Sequence, residues 1–311
     1  MSYINEKLKD IINEAIGGNC SIKAIGHHQL GRHFVYEITT EDNSEYILKI
    51  YGKEFRFCNE VIGLELLNEK IICPNIINKS STYTKTEWLL MNKLDGVVLE
   101  NIWNDITIGN KITIIEKIGE LMGKMHSCYE YDYYGIWRTC GTAILNHNDY
   151  VEYRKDKDRA IINNIIKQQL PHMELMLEAY HELTKYYQAI STNGSPRLCH
   201  HDFSPRNILV VKDDENWRVN GIIDFEHCYP DDPDIDFTDL YQTILLDEPY
   251  LAKHLINGYY KYMNVYEDLE YKMKYYLLNK GLCICSWAYE YTKDYYNQGV
   301  NLLKRLLYDN T

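Results

Sequence analysis

Cys199-His200-His201-Asp202-Phe203-Ser204-Pro205-Arg206-Asn207-Ile208-Leu209-Val210 is the stretch on which the reading turns. A carboxylate, Asp202, and a carboxamide, Asn207, stand five residues apart on a loop that contains Pro205 and leads into an apolar run. Seventeen residues after Asn207, a second apolar run ends on a carboxylate in Gly221-Ile222-Ile223-Asp224-Phe225-Glu226. Both runs read as short buried strands. Loop and strand-end oxygens of this kind are hard ligands. They suit Mg²⁺, which is held by one or two protein groups together with substrate phosphates. The remaining carboxylate can accept a proton from a hydroxyl nucleophile. These are the requirements of phosphoryl transfer, in which positioning and charge neutralisation carry most of the catalysis.

A triphosphate also needs a cation. Upstream, Phe34–Thr39 and Tyr46–Ile50 alternate as the two strands of a hairpin around the turn cluster Glu41-Asp42-Asn43-Ser44. Lys49 lies on the returning strand. A helix comes next, with Phe57, Val61, Leu64 and Leu67 on one stripe. Glu60, eleven residues after Lys49, is placed to hold that lysine, as paired lysine and glutamate do in kinases. Glu65 and Glu69 are the other candidates. Ser21–Ile25 is a further strand candidate. Pro74 stops the helical region, Trp88–Met91 reads as a buried strand, and Asp95-Gly96 ends it with turn chemistry.

From Gly96 onward helical spacing dominates. Ile115, Ile118, Met122 and Met125 form one stripe. Met173, Met176, Tyr180, Leu183, Tyr187 and Ile190 form another. Residues 240–311 are again helical and rich in aromatics, with Leu302, Leu303, Leu306 and Leu307 on the last stripe.

Composition narrows the function classes. The 311 residues carry 33 Lys and Arg against 45 Asp and Glu, a net charge of −12. Such an acidic chain is a poor general nucleic-acid binder, because phosphate backbones are held mainly by Lys and Arg. It is compatible with a cationic substrate. No apolar run approaches the roughly 18 residues that span a bilayer, and MSYINEKLKD lacks the apolar core of a signal peptide. The nine cysteines show no C-x-x-C pair. They read as reduced thiols of a cytoplasmic protein, neither a disulfide framework nor a zinc site. The 29 tyrosines read as core and helix-surface filling.

The motifs His200-His201-Asp202 with Asn207, Ile223-Asp224-Phe225-Glu226 and Asp232-Pro233-Asp234-Ile235-Asp236 succeed one another in order. In this the chain resembles the aminoglycoside phosphotransferase and choline kinase superfamily of small-molecule kinases, and the resemblance runs from the Gly26–Gly31 loop to the C-terminal helices. It implies an α+β, two-lobed, protein-kinase-like fold. An N-terminal antiparallel sheet lobe with one helix would occupy residues 1–91, a hinge 92–95, and a larger, mostly helical catalytic and acceptor-binding lobe 96–311. It implies Asp202 as catalytic base, Asn207 and Asp224 as Mg²⁺ ligands, and Lys49, oriented by Glu60, on the α- and β-phosphates of ATP or GTP. Met91 to Leu94 would form the hinge, with backbone groups of Asn92 and Leu94 on the nucleobase and the bulky Met91 favouring adenine. His200 and Asp236 would brace the catalytic loop, and residues 26–33 would cover the phosphates. Glu226 is open between a second metal contact, an acceptor contact and a surface position, and Glu290 is a candidate for acceptor contact. Two features depart from the pattern. Position 201 is His where many members have Gly, and the phosphate loop has only two glycines.

The implied activity is ATP- or GTP-dependent phosphorylation of a hydroxyl on a small, amine-bearing molecule. An aminoglycoside antibiotic, with resistance as the consequence, is the first reading. Choline, ethanolamine and homoserine are alternatives, and a non-catalytic nucleotide-binding protein is the rival of another class. Oligomeric state is open. A protein kinase is disfavoured, because no Arg precedes Asp202. Ser204 also stands where a lysine is usual, and the segment from Asp224 to Asp236 is too short for an activation loop. Asp231 and Asp234 read as a charged turn, and His227 as a loop histidine. Trp287–Tyr291 reads as helix packing or as an acceptor wall.

Overall fold

The computed structural model describes residues 2–26, 32–53, 55–81, 86–139, 142–143, 147–190, 194–264 and 269–309. Most of the expected phosphate loop, and Cys140, lie outside them. The chain forms two compact units. The first takes Met1–Asp105, Ile136–Ile144 and Arg206–Tyr229, and the second Ile106–Gly135, Leu145–Pro205 and Pro230–Thr311.

The first unit is built on five antiparallel strands: β1 (Cys20–Ile25), β2 (His33–Thr40), β3 (Glu45–Tyr51), β4 (Ile76–Lys79) and β5 (Trp88–Asn92). They lie in the order β1-β2-β3-β5-β4. The expected hairpin is β2–β3, pairing Val35 with Lys49 and Thr39 with Glu45. Its turn is closed by Asp42, whose carboxylate accepts from Thr40 Oγ1 at 2.5 Å and Ser44 N at 3.2 Å. Side chains alternate along a strand, so β3 serves two environments. Leu48 and Ile50 join Tyr36, Ile38, Trp88 and Leu90 in a core closed by Ile11, Ile12 and Ala15 of helix α1 (Ser2–Ala15). Lys49 and Tyr51 point to the opposite face, toward helix α2 (Arg56–Leu67). Helix α1 is an addition to the single helix expected here.

Three further strands complete this unit's hairpin region. β6 (Val97–Val98) pairs with β10 (Ile208–Asp213), which pairs with β11 (Asn216–Ile222). A small ribbon, β7 (Trp137–Thr139) with β8 (Thr142–Ala143), lies in the same unit.

The second unit is mainly helical: α3 (Ile108–Cys128), α4 (Tyr150–Gln168), α5 (Met173–Thr184), α6 (Phe237–Leu240), α7 (Ala252–Tyr259), α8 (Leu269–Ala288) and α9 (Lys293–Tyr308). β9 (Arg197–Cys199) pairs with β12 (Tyr229–Asp231), whose last two residues lie in this unit. Caps set several helix starts. Thr107 Oγ1 accepts from Asn110 N at 3.3 Å, and Asp149 accepts from Glu152 N at 3.1 Å. Helix α5 is shorter than the apolar stripe that announced it. Tyr187 and Ile190 lie beyond its end, in turns. No described helix is long and apolar enough to cross a membrane.

Helices α3 and α7 meet backbone against backbone. A Cβ on Gly258 would stand 1.9 Å from Glu116 O, and one on Gly119 would stand 2.0 Å from Leu255 O. Neither carbonyl can move without unwinding its helix. Gly258→Ala is therefore expected to destabilise the protein by about 1–3 kcal/mol or more, read as a lowered midpoint in urea. An unchanged midpoint would contradict this packing.

Candidate active site

Lys49 is buried, with 6 % of its surface exposed. Its Nζ lies 2.7 Å from Glu60 Oε2, 2.6 Å from Asp224 Oδ1 and 2.8 Å from Glu226 Oε2. Burial alone would depress the ammonium's pKa. The charges of Asp224, Glu60 and Glu226 outweigh it and hold the pKa well above its ordinary value. Glu60, from α2, also accepts from the Tyr51 hydroxyl at 2.6 Å. Burial lifts its carboxyl to about 7 against the pull of Lys49. Three carboxylates face one ammonium, so Glu60 is the member driven toward neutrality. Burial, followed by the charge of Glu60, keeps the Tyr51 phenol protonated and a donor. Glu65 faces elsewhere and pairs with Lys79.

The β10–β11 register explains how Asn207 and Asp224 come together. Ile208 pairs with Ile222. The next backbone link, Ile223 N to Asn207 O at 2.9 Å, seats Asn207 beside the residue that precedes Asp224. Asn207 is buried. Asp224 takes φ 70°, a sharp left-handed turn, and its side chain stays 35 % exposed. Helix α2 fixes the chain just beyond this turn. Asn59 Nδ2 donates to Glu226 O at 3.2 Å, and Arg56 Nη1 donates to the same carbonyl at 3.4 Å. Arg56 also meets His227 Nδ1 at 2.7 Å, so this histidine is tied to α2. The Glu226 carboxylate faces Lys49, with His33 Nε2 at 3.0 Å and Arg32 Nη2 at 3.9 Å. Burial would raise its pKa, but Lys49, His227 and His33 bring it well below the carboxylate range.

Asp202, His200 and Asp236 belong to the second unit. Asp236 is buried and accepts from His200 N and His201 N, both at 2.7 Å. It holds the loop through backbone amides, while the His200 ring packs edge-on against Phe203 at 5.6 Å. Asp202 comes directly after and is buried at 8 % exposure. His201 takes φ 60°. Glycine enters that left-handed region freely, whereas a side chain costs about 1–2 kcal/mol. The two amide bonds to Asp236 hold it there.

Met91 and Asn92 end β5. Asn92 N donates to Asn75 O at 3.1 Å, and Asn92 Oδ1 accepts from Asn75 N at 2.6 Å. Leu94 is half-buried. Glu290 lies in an exposed turn after α8. In the neighbouring aromatic stretch Trp287 packs on Tyr295 and Tyr289 on Tyr296, while Tyr291 is exposed. One expectation is corrected. Asp231 and Asp234 do not form a solvated turn. Together with Asp232 they are at most 1 % exposed. Lys272 Nζ lies 2.6 Å from Asp234 Oδ2 and 3.2 Å from Asp232 Oδ2, and the Tyr276 hydroxyl donates to Asp232 at 2.8 Å.

The sequence matches the phosphotransferase enzyme family over residues 23–264. The chain belongs to that family. Similar solved structures include aminoglycoside phosphotransferase APH(4)-Ia in a ternary complex with AMP-PNP and hygromycin B. It is 12 % identical, with 96 % of this chain and 97 % of that chain covered and a TM-score of 0.72. The GDP complex of aminoglycoside 2'-phosphotransferase-IIIa is 16 % identical over 96 % and 97 %, with a TM-score of 0.68. The streptomycin–ATP–APH(2")-IIa ternary complex is 18 % identical over 96 % and 95 %, with a TM-score of 0.60. At such identities the likeness is one of fold, and the fold is the kinase-like α+β fold. Comparison with curated proteins finds no match.

Several residues of this phosphotransferase's Lys49 cluster escaped the sequence reading. Tyr51 had a signal, since it stands two positions after Lys49 on the same strand face. Asn59 and Arg56 had none, because they meet the Asp224 segment only through the fold, whereas His33 was expected only at the end of the loop over the phosphates.

Proposed function

We propose that this phosphotransferase moves the γ-phosphoryl group of ATP or GTP to a hydroxyl of a small, amine-bearing molecule, with an aminoglycoside-type antibiotic as first candidate. The observation that carries this reading is the contact of buried Lys49 and Glu60 with the part-exposed Asp224, with Asn207 tethered at its edge. Glu60, held by the Tyr51 hydroxyl, fixes the Lys49 ammonium, whose contacts with Asp224 and Glu226 would give way to phosphate oxygens when nucleotide binds. Asp224 gives one oxygen to Lys49 and keeps part of its side chain exposed. With the Asn207 amide it makes the hard oxygen pair that fits Mg²⁺. Bound there, Mg²⁺ would neutralise charge on the phosphates. Asp202 orients the acceptor hydroxyl and takes its proton late, since a loose transition state asks little of the base.

Met91, Asn92 and Leu94 are the candidates for holding the nucleobase. The contact of Glu226 with Lys49 supports a place at the phosphate end, whereas exposed Glu290 remains an acceptor candidate. The structural neighbours in ternary complexes with a nucleotide and hygromycin B or streptomycin support the choice of acceptor, as does the net charge of −12. Desolvated carboxylates bind ammonium groups well.

The test is an ADP-release assay across aminoglycosides, choline, ethanolamine and homoserine, with mass spectrometry of the product. Turnover of at least one aminoglycoside to its phosphorylated form is expected. Turnover confined to choline, ethanolamine or homoserine would replace the acceptor. Nucleotide binding without turnover of any acceptor would contradict the reading.

A further inference from the structure

Asp236 holds the two amides before Asp202, and something must hold Asp236. The third donor on its carboxylate is His126, on α3, whose Nε2 lies 3.0 Å from Asp236 Oδ2. The other ring nitrogen, Nδ1, lies 2.9 Å from the Tyr259 hydroxyl on α7. His126 and Asp236 are buried at 0 % and 1 %, and Tyr259 at 1 %. Asp236 already accepts from two backbone amides, so Nε2 is the ring's donor to it, and in the neutral ring Nδ1 then accepts from Tyr259. Burial, then the charge of Asp234, keeps the phenol protonated. The Tyr259 ring also packs edge-on against the imidazole at 5.6 Å. The close approach of α3 and α7 at Gly119 and Gly258 is what brings Tyr259 within reach. Cys199 Sγ lies in the same cluster, but it turns to the carbonyls of Asp231 and Asp232 at 3.5 Å. The four groups are thus accounted for by hydrogen bonds and leave no call for an ion.

We infer that His126, locked in one tautomer by Tyr259, is a positioning residue that aims Asp236 at the amides of His200 and His201 and so sets the place of Asp202. The left-handed turn at His201 makes this support necessary. The loop leaves that conformation if Asp236 rotates and releases either amide. A shift of about 1 Å at a catalytic group can cost roughly a hundredfold in rate. The catalytic consequence rests on the function proposed above, whereas the structural one does not.

The experiment compares His126→Gln with His126→Asn. A glutamine amide reaches as far as Nε2 and can donate to Asp236. An asparagine amide ends near Nδ1 and falls short. In His126→Asn, kcat is expected to fall about 10–100-fold with the KM for nucleotide within about twofold, and His126→Gln to recover most of it. Amide hydrogen exchange at His200 and His201 is read in the same proteins. It should quicken in His126→Asn and stay slow in His126→Gln. Exchange unchanged in His126→Asn, or equally fast in both variants at matched stability, would overturn the inference. Nitrogen NMR of the native chain covers the case in which a variant does not fold. His126 must be the Nε2–H tautomer, and an Nδ1–H ring would overturn the inference. The exchange and NMR arms need no acceptor, so a failed acceptor assay is distinguishable from a failure of this inference.

Discussion

Asp202→Asn is expected to lower kcat by about 10²–10⁴-fold, the usual contribution of a positioned general base, while Mg²⁺–nucleotide binding stays within a few-fold. Asparagine matches the buried aspartate in size, so the fold should hold. It can still orient a hydroxyl but cannot take the proton. A loose transition state keeps the loss from being larger. Two readouts separate the effects. ADP release reports turnover, and nucleotide-dependent thermal stabilisation reports binding. Equal turnover in both proteins would remove Asp202 from the chemistry and favour the non-catalytic alternative. Loss of nucleotide stabilisation as well would make its role structural.

Lys272→Met is expected to cost about 3–5 kcal/mol of stability, because it leaves buried carboxylates without their cation. For a unit of this size that is a fall in Tm of roughly 10 °C. Burial, then Asp232, raises the Asp234 carboxyl to about 6 even with Lys272 beside it. Burial would depress the Lys272 ammonium, but the two aspartates hold its pKa above the ordinary value. Without the lysine the Asp234 carboxyl rises further above its unfolded value. The folded variant then binds more protons than the unfolded chain, so the deficit shrinks as pH falls toward about 5. Adding Asp232→Asn and Asp234→Asn to Lys272→Met should restore part of the loss, the signature of coupled sites. A deficit under about 1 kcal/mol at neutral pH would show that the cluster is hydrated and not the buried network described.

Much of the site was legible because it is written locally. Asp202 and Asn207 share one loop, Asp224 ends the next strand, and Lys49 sits on a hairpin with a clear turn. The glutamate partner was legible only to within one helix. Glu60 and Glu65 are five positions apart, about 140° around the helix, and only packing of α2 on β3 decides between them. The aspartate run at 231–234 was illegible, because charged runs usually face water. Its partner Lys272 stands forty residues from Asp232. Helix α4 was missed for a related reason. Its buried face includes Tyr150, Tyr153, Arg154 and Asp158 beside Ile162 and Ile165, so no apolar stripe marks it. Arg154 and Asp158 are satisfied by Tyr275 and Asn279 of α8. Part of the tyrosine content is therefore hydrogen-bonded core, beyond simple filling.

The proposed chemistry stands or falls on Lys49, Asn207 and Asp224 serving one Mg²⁺–nucleotide site. Calorimetric titration of AMP-PNP with and without Mg²⁺, in the native chain, Lys49→Met and Asp224→Asn, probes this without any acceptor. The native chain is expected to lose about tenfold or more in affinity, at least 1.4 kcal/mol, when Mg²⁺ is withheld. Both variants should bind weakly, with little further response to the ion in Asp224→Asn. The same affinity in all three proteins, indifferent to Mg²⁺, would contradict a shared site.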